Sequence, residues 1–136
     1  MLHITNDNRT SVKVSADAGA AVIQSLQDIA PDLARFIIEF SYGDIISRAG
    51  IDGRVRELAT VAILTALGNA QPQLKVHLSA ALNVGVSRQE LIEIIQQMAL
   101  YARFPAALNG INVARDLFAH AVLISSDSSR TATPNP

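Results

Sequence analysis

An all-α fold of about six helices is predicted for this chain of 136 residues, and three observations support it. No segment keeps the alternation of apolar and polar residues that a half-buried strand requires, whereas apolar residues recur three and four positions apart. Hydrophobic residues make up 49% of the chain and aromatic residues only 4%, so aliphatic side chains must supply the core. Residues that typically begin and end helices separate the apolar segments.

The length of the chain corresponds to one domain, with a segment of different composition at each end. Residues 1–16 are polar and lack a sustained period, which we interpret as an N-terminal arm. Residues 17–124 are the predicted helical domain. Residues 125–136 are rich in serine, threonine and proline, a composition typical of a disordered tail.

Two helices are predicted in the first third of the chain. Ser15 or Asp17 caps the first helix, which ends near Ala30. Pro31 begins the second helix, because proline is favoured in the first helical turn, and this helix ends near Ser47. Its predicted core-facing residues are Leu33, Phe36, Ile37 and Phe40.

The third predicted helix is apolar nearly all round, a pattern typical of a central helix that is covered on every side. Asp52 is its expected N-cap, the apolar run covers residues 58–67, and Gly68 ends the helix. Pro72 opens the fourth helix and Gly85 ends it.

A capping box of Ser87 and Glu90 marks the start of the fifth helix, and Pro105 begins the sixth. The predicted core-facing residues are Leu91, Ile94, Ile95 and Met98 in the fifth helix and Leu108, Ile111, Leu117 and Phe118 in the sixth.

The composition excludes several classes of function. The formal net charge is −1 and no block of basic residues occurs, so nucleic acid and anionic membrane are not expected partners. The chain has no cysteine, which excludes thiol-based catalysis and is consistent with a cytoplasmic protein. Its three histidines are far apart in sequence, so no metal site is expected. The apolar run is too short to span a bilayer, and the N-terminus lacks the pattern of a signal peptide.

Glu57 and His77 are the candidate catalytic residues, because each is a titratable side chain beside apolar ones. Glu57 comes just before the apolar run of the third helix. It is compatible with a surface ion pair to Arg54 or with a partly buried carboxylate that acts as acid or base. His77 lies on an apolar stripe of the fourth helix, as either a core histidine held by one hydrogen bond or the acid or base of a cleft. The residues by themselves leave both alternatives open.

Four further residues are candidate substrate-binding groups: Arg48, Arg54, Tyr101 and Arg103. Arg48 and Arg54, with Arg56, place positive charge around the start of the third helix. They either hold a substrate carboxylate bidentately or only solvate that end. Tyr101 and Arg103 precede a proline that begins a helix, so they are expected at a helix–helix corner, where an anion can bind. A solvated arginine at a helix end is the alternative.

Several short motifs occur in order over about residues 33–120. They are Phe40-Ser41-Tyr42-Gly43-Asp44, Ser47-Arg48, Arg56-Glu57-Leu58, the segment Leu74 to Leu78 with His77, Ala81-Leu82-Asn83-Val84-Gly85-Val86, and Tyr101-Ala102-Arg103-Phe104-Pro105-Ala106-Ala107-Leu108-Asn109. In order and spacing, this set resembles the carboxymuconolactone decarboxylases, the short members of the AhpD-like superfamily.

The resemblance implies an AhpD-like helical bundle that assembles into homotrimers or homohexamers. It also implies a carboxy-lyase of aromatic catabolism, in the β-ketoadipate pathway, that acts on 4-carboxymuconolactone or a related lactone carboxylate. No cofactor is expected, because the electrons released with carbon dioxide flow into the lactone carbonyl and give a furan-type enolate. Glu57 and His77 are placed in the family's pocket, where an oxyanion donor and a proton for a ring carbon are needed.

Two features depart from patterns found in this superfamily. The peroxide-linked branch carries Cys-x-x-Cys ahead of its histidine, but Ala70 and Gln73 occupy those positions here, so thiol peroxidase activity is not expected. The decarboxylases usually read Tyr-Ala-Gly-Phe-Pro, and this chain has Arg103 in place of the glycine. A bulky cation there is expected to reshape the pocket or to contact a different anion. The alternative function is a family member with an altered site that acts as a binding or assembly module.

Overall fold

The structure, a computed structural model, describes the backbone of residues 19–128 and the side chains of residues 19–121. Every regular element in this part of the chain is a helix, which confirms the predicted fold class. The expected N-terminal arm, the two candidate caps Ser15 and Asp17, and residues 129–136 of the expected tail lie outside the described residues.

The helices follow the predicted order, with differences at two of their ends and in the winding of the second predicted helix. They are α1 over residues 19–26, α2 at Pro31–Phe36, a π-helical segment at Ile37–Ile46, α3 at Gly53–Leu67, α4 at Gln71–Asn83, α5 at Arg88–Ala102 and α6 at Phe104–Ser128. Helix α1 stops before a turn at residues 27–29, short of Ala30. The second predicted helix changes from α to π winding after Phe36. Helix α6 includes residues 125–128, where we expected the tail to begin.

Local capping chemistry sets the ends of the central helices. The side chain of Asp52 accepts a hydrogen bond of 2.8 Å from the Val55 N–H and begins α3. Gly68 ends α3 with a φ of 73°, a left-handed conformation that glycine adopts without a Cβ clash. The predicted capping box of Ser87 and Glu90 is present at the start of α5.

Helices α3 to α6 pack around one aliphatic core. Gly110 of α6 allows close approach, because a Cβ at this position would lie 2.9 Å from Ile95 Cγ2 and 3.0 Å from Thr65 Cγ2. Among residues 19–128, none of the helices combines the length and apolarity that a membrane crossing requires. The buried cluster consists of Val61, Leu74, Leu78, Ala81, Val84, Val86, Leu91, Ile95 and Ala114.

Helix α3 is not covered on every side in this chain, so that prediction is wrong for the single chain. Val61 and Thr65 are buried, but Ile63 is 57% exposed and Leu67 is 59% exposed. The reason is that α4, α5 and α6 pack along one side of α3. The other side keeps its apolar residues open to solvent.

The prediction of core-facing residues is also wrong for α2 and the π segment. Leu33, Phe36 and Phe40 are exposed and Ile37 is only half-buried. These two elements pack mainly on one another and make few contacts with α3 to α6. Leu108 of α6 is exposed as well, whereas Leu91 and Ile95 of α5 are fully buried as predicted.

Candidate active site

Helices α3 and α4 bring the two candidate catalytic residues into direct contact. Glu57 Oε2 lies 2.9 Å from His77 Nδ1, and the side chains are 20% and 29% exposed respectively. An ionised carboxylate only accepts hydrogen bonds, so Nδ1–H of the imidazole is the donor. Nε2 is then the ring nitrogen left to meet a ligand.

The pair sits at the edge of the core because of its place on each helix. His77 falls between the buried residues Leu74 and Leu78 of α4, and Glu57 lies one turn before the buried Val61 of α3. Each polar group therefore borders apolar packing while one side stays open to solvent. Glu57 is paired with His77 and not with Arg54. The catalytic roles of both residues stay a prediction.

Arg54 is directed towards α5. Its guanidinium donates a hydrogen bond to Glu90 Oε1, and Glu90 Oε2 accepts one of 2.8 Å from the Ser87 N–H. These hydrogen bonds, first from the Ser87 backbone and then from Arg54, hold the pKa of Glu90 below its ordinary value. Arg54 therefore joins the start of α3 to the cap of α5, and its predicted substrate-binding role has no contact that supports it.

We expect Glu90→Gln to lower the melting temperature at pH 7, with no loss at acid pH. The folded-state pKa of Glu90 lies below the unfolded one, so its stabilising effect is complete above the unfolded value, about 4.3. It disappears as pH falls through the folded value. Thermal unfolding followed by circular dichroism at pH 7 and at about pH 2.5 checks this. Glu93→Gln on the same helix is the control, and an equal loss at both pH values would contradict the expectation.

Arg48 lies near the start of α3. Arg56 Nη2 donates a hydrogen bond of 2.6 Å to the Arg48 carbonyl oxygen, which ties the chain after the π segment to the turn that carries Glu57. The Arg48 residue is exposed. Arg48 is thus held at the Glu57 end of α3. Its role in substrate binding stays a prediction.

Tyr101 and Arg103 lie at the opposite end of α3. A Cβ at Gly68 would lie 3.5 Å from Ala106 Cβ, so the α5–α6 corner is beside the C-terminus of α3. From Glu57 to Gly68 the helix advances about 16 Å. A shallow surface depression in this region includes neither member of the pair. It is lined by Leu64, Thr65, Gly68, Gln71, Leu74, Ala106, Asn109 and Gly110. Within one chain, the α5–α6 corner therefore does not lie beside Glu57 and His77.

Arg103 forms the corner with an unusual backbone conformation. It has φ 76° and ψ 155°, and it is the one non-glycine residue with positive φ in the described chain. This region of backbone space is populated almost only by glycine. The corner thus keeps a glycine-type backbone although the residue is arginine. Tyr101, two residues earlier, is 81% exposed.

Tyr42 of the π segment is within electrostatic reach of Glu57, and sequence reasoning did not single it out. Burial and then the negative charge of Glu57 raise the pKa of the Tyr42 phenol. The motif from Phe40 to Asp44 contained this tyrosine, but nothing in that motif placed it near Glu57. Among the described residues, no group of three histidine, aspartate or glutamate side chains is arranged to hold a metal ion.

Comparison with known proteins agrees with the motifs found in the sequence. Residues 31–116, which include Glu57 and His77, match the Carboxymuconolactone decarboxylase family. Over 96 residues the chain is 38% identical to a 4-carboxymuconolactone decarboxylase of Acinetobacter baylyi strain ADP1, a match that covers 71% of each protein. Over 98 residues it is 28% identical to an uncharacterized 15.0 kDa protein of Paracoccus denitrificans from the nqo9-nqo10 intergenic region, covering 71% of this chain and 73% of that protein. The resemblance seen in the motifs is thereby confirmed, and the chain belongs to the carboxymuconolactone decarboxylase family.

Proposed function

We propose that the protein is a cytoplasmic, cofactor-independent carboxy-lyase that decarboxylates 4-carboxymuconolactone or a related lactone carboxylate in the β-ketoadipate pathway of aromatic catabolism. The observation that carries the proposal is the hydrogen bond between Glu57 and His77 at the half-buried edge of the core. Family membership supports the reaction class, and the Acinetobacter relative bears the name of this enzyme.

The reaction needs a proton in the right place more than it needs a strong base. When the bond between the ring carbon and the carboxylate breaks, carbon dioxide leaves and the electron pair moves through the ring double bond to the lactone oxygen. In this step His77 acts as the imidazolium: its Nε2–H delivers a proton to the ring carbon next to the carbonyl, and the enolate returns to a lactone. The imidazole that remains keeps its Nδ1–H and regains a proton on Nε2 from water. Glu57 accepts the Nδ1 hydrogen bond, so it fixes the orientation of the imidazole and leaves Nε2 for the substrate.

Substrate binding requires a cation for the carboxylate arm that stays on the ring. We assign this contact to Arg48, which is anchored at the Glu57 end of α3. Tyr101 and Arg103 lie at the α5–α6 corner, beside the opposite end of α3. They contribute to the same site only if a second copy of the chain brings its corner to the pair.

A turnover assay tests the proposed function directly. Purified protein is mixed with 4-carboxymuconolactone, and loss of the substrate's ultraviolet absorbance is followed with and without a metal chelator. We expect turnover that the chelator does not change. A protein that binds the lactone without converting it would instead support the alternative, a binding or assembly module of the family.

We also propose that the chain assembles into a homotrimer or a homohexamer, as the family resemblance implies. Large apolar side chains remain exposed on α2 and the π segment, on α3 and at the α5–α6 corner. Exposed apolar surface of this extent is typical of an interface between subunits. The main contributors are Leu33, Phe36, Phe40, Ile63, Leu67, Leu100, Tyr101, Phe104 and Leu108.

Light scattering after size-exclusion chromatography is expected to show three or six times the mass of one chain. Phe104→Glu puts a charge on one of the most exposed aromatic residues and is expected to reduce this mass. Gln96→Glu adds the same charge at an exposed polar position of α5 and is expected to leave it unchanged. A uniform single-chain mass for the unaltered protein would contradict the assembly.

A further inference from the structure

The side chains that surround the Glu57–His77 pair follow from helix geometry. Residues three and four positions apart lie on one face of a helix, with Cβ atoms about 5–6 Å apart. Because the pair joins α3 to α4, the candidates for contact with its ligand are the neighbours of Glu57 and of His77 at this spacing. They are Gly53, Arg54, Thr60 and Val61 on α3, and Gln73, Leu74, Ala80 and Ala81 on α4.

Most of these neighbours have no hydrogen-bond donor to offer a ligand. Five of the eight are glycine or apolar residues. The guanidinium of Arg54 is turned to Glu90 on α5. The hydroxyl of Thr60 donates a hydrogen bond of 2.9 Å to the Arg56 carbonyl oxygen of its own helix. Gln73 is the remaining polar side chain of the set.

Gln73 lies one turn before His77 on α4. It is exposed, and among residues 19–121 its carboxamide forms no hydrogen bond, whereas Gln71 Nε2 donates one of 2.9 Å to the Gly68 carbonyl oxygen. Lys75 is closer to His77 in sequence, but two positions place it about 160° away around the helix. The amide of Gln73 is therefore the uncommitted donor on the His77 face of α4.

The proposed reaction requires a donor at this distance from His77. Negative charge develops on the lactone carbonyl oxygen as carbon dioxide leaves, and a hydrogen bond to that oxygen lowers the barrier, a task that amide side chains perform in enzymes. The carbon that His77 protonates is bonded to the carbonyl carbon, so the oxygen lies two bonds from the protonated atom. A side chain whose Cβ is about 5–6 Å from that of His77 suits this separation.

We propose that Gln73 is a further catalytic residue, whose Nε2–H donates a hydrogen bond to the lactone carbonyl oxygen and stabilises the enolate. This role rests on the proposed decarboxylation. The electron pair of the broken carbon–carbon bond moves onto the lactone oxygen as carbon dioxide leaves, and it returns when the imidazolium of His77 protonates the ring carbon. Gln73 keeps both of its amide protons throughout.

Gln73→Met removes the amide and keeps an unbranched side chain of similar length. We expect kcat on 4-carboxymuconolactone to fall roughly 100-fold with a much smaller change in KM, since the hydrogen bond strengthens as charge develops on the oxygen. Gln97→Met makes the same change at an exposed position of α5 and is expected to leave kcat unchanged. Equal kcat values for wild type and Gln73→Met overturn the role of Gln73 and leave the decarboxylase function standing.

Gln73→Glu tests the donor by a change that keeps the shape of the side chain. A carboxylate accepts hydrogen bonds but donates none at neutral pH, and its charge opposes that of the enolate. We expect kcat to be as low as in Gln73→Met or lower, at an unchanged melting temperature. Wild-type activity in Gln73→Glu would overturn the proposed hydrogen bond.

A second measurement keeps the two proposals separate if the wild type does not turn over this substrate. Muconolactone has the lactone and the acetate arm but lacks the carboxylate that leaves, so it keeps the carbonyl contact without the chemistry. Calorimetric titration is expected to give a Kd roughly three- to tenfold weaker for Gln73→Met than for the wild type, the usual effect of losing one hydrogen bond. Equal affinities, or no binding to the wild type, overturn the contact between Gln73 and the lactone.

Discussion

Replacing His77 by alanine is expected to lower kcat on 4-carboxymuconolactone by roughly two to four orders of magnitude, the usual loss for an acid–base group. In the proposed reaction the Nε2–H of the imidazolium gives its proton to the ring carbon, while Nδ1 is held 2.9 Å from Glu57 Oε2. Glu57→Gln is expected to cause a smaller loss, because the amide oxygen still accepts from Nδ1–H but carries no charge. Steady-state rates at saturating substrate measure both effects.

His120→Ala is the matched control for this experiment. His120 is exposed on α6, and its Nδ1 lies 3.1 Å from the Asp116 carbonyl oxygen of the same helix. Its removal is expected to leave kcat unchanged. If His77→Ala were as active as the His120 variant, with the same melting temperature as the wild type, His77 would have no part in the chemistry.

Arg103→Gly is expected to stabilise the protein, although glycine usually destabilises. A non-glycine residue in this backbone region costs on the order of 1–3 kcal/mol, and glycine removes the Cβ that causes the strain. The greater freedom of glycine in the unfolded chain offsets about 0.4–1 kcal/mol of that gain. We therefore expect the free energy of unfolding to rise by about 1–2 kcal/mol. Thermal and urea unfolding, at equal protein concentration, measure the change.

Arg103→Ala separates the backbone from the side chain. Alanine keeps the Cβ and its strain, so this variant is expected to gain no stability. A stability gain of equal size in both variants would show that the φ of 76° is not its cause. The turnover numbers of the two variants also bear on the predicted substrate contact. A loss of activity common to both would mean that the guanidinium reaches the substrate, and unchanged rates would leave it without a role there.

The ends of most helices could be predicted because the determining interactions are local. The side chain of Asp52 caps α3 through a residue three positions later, and Ser87 and Glu90 cap α5 over the same distance. Gly68 ends α3 through its own backbone conformation. Because capping involves residues only a few positions apart, it can be predicted without knowing which helices pack together.

The candidate pair itself was partly predictable. Glu57 and His77 stood out because a titratable residue beside buried aliphatic ones needs a partner. The neighbouring residues in the sequence did not identify that partner. Arg54, three residues before Glu57, was at the right helical spacing to form an ion pair with it. Because α3 packs on α4, Glu57 forms its hydrogen bond with His77. Because α3 also packs on α5, Arg54 forms its hydrogen bond with Glu90.

The sequence by itself determined the all-helical class, the helix order, the caps of α3 and α5, and the residue types available for chemistry. Only the tertiary structure decided which of these residues meet, that one side of α3 stays open, and that Arg103 keeps a glycine-type backbone. The physical reason is one of range. Capping and periodicity act within a few residues, whereas ion pairs, burial and backbone strain depend on elements far apart in the chain that come together only when the helices pack.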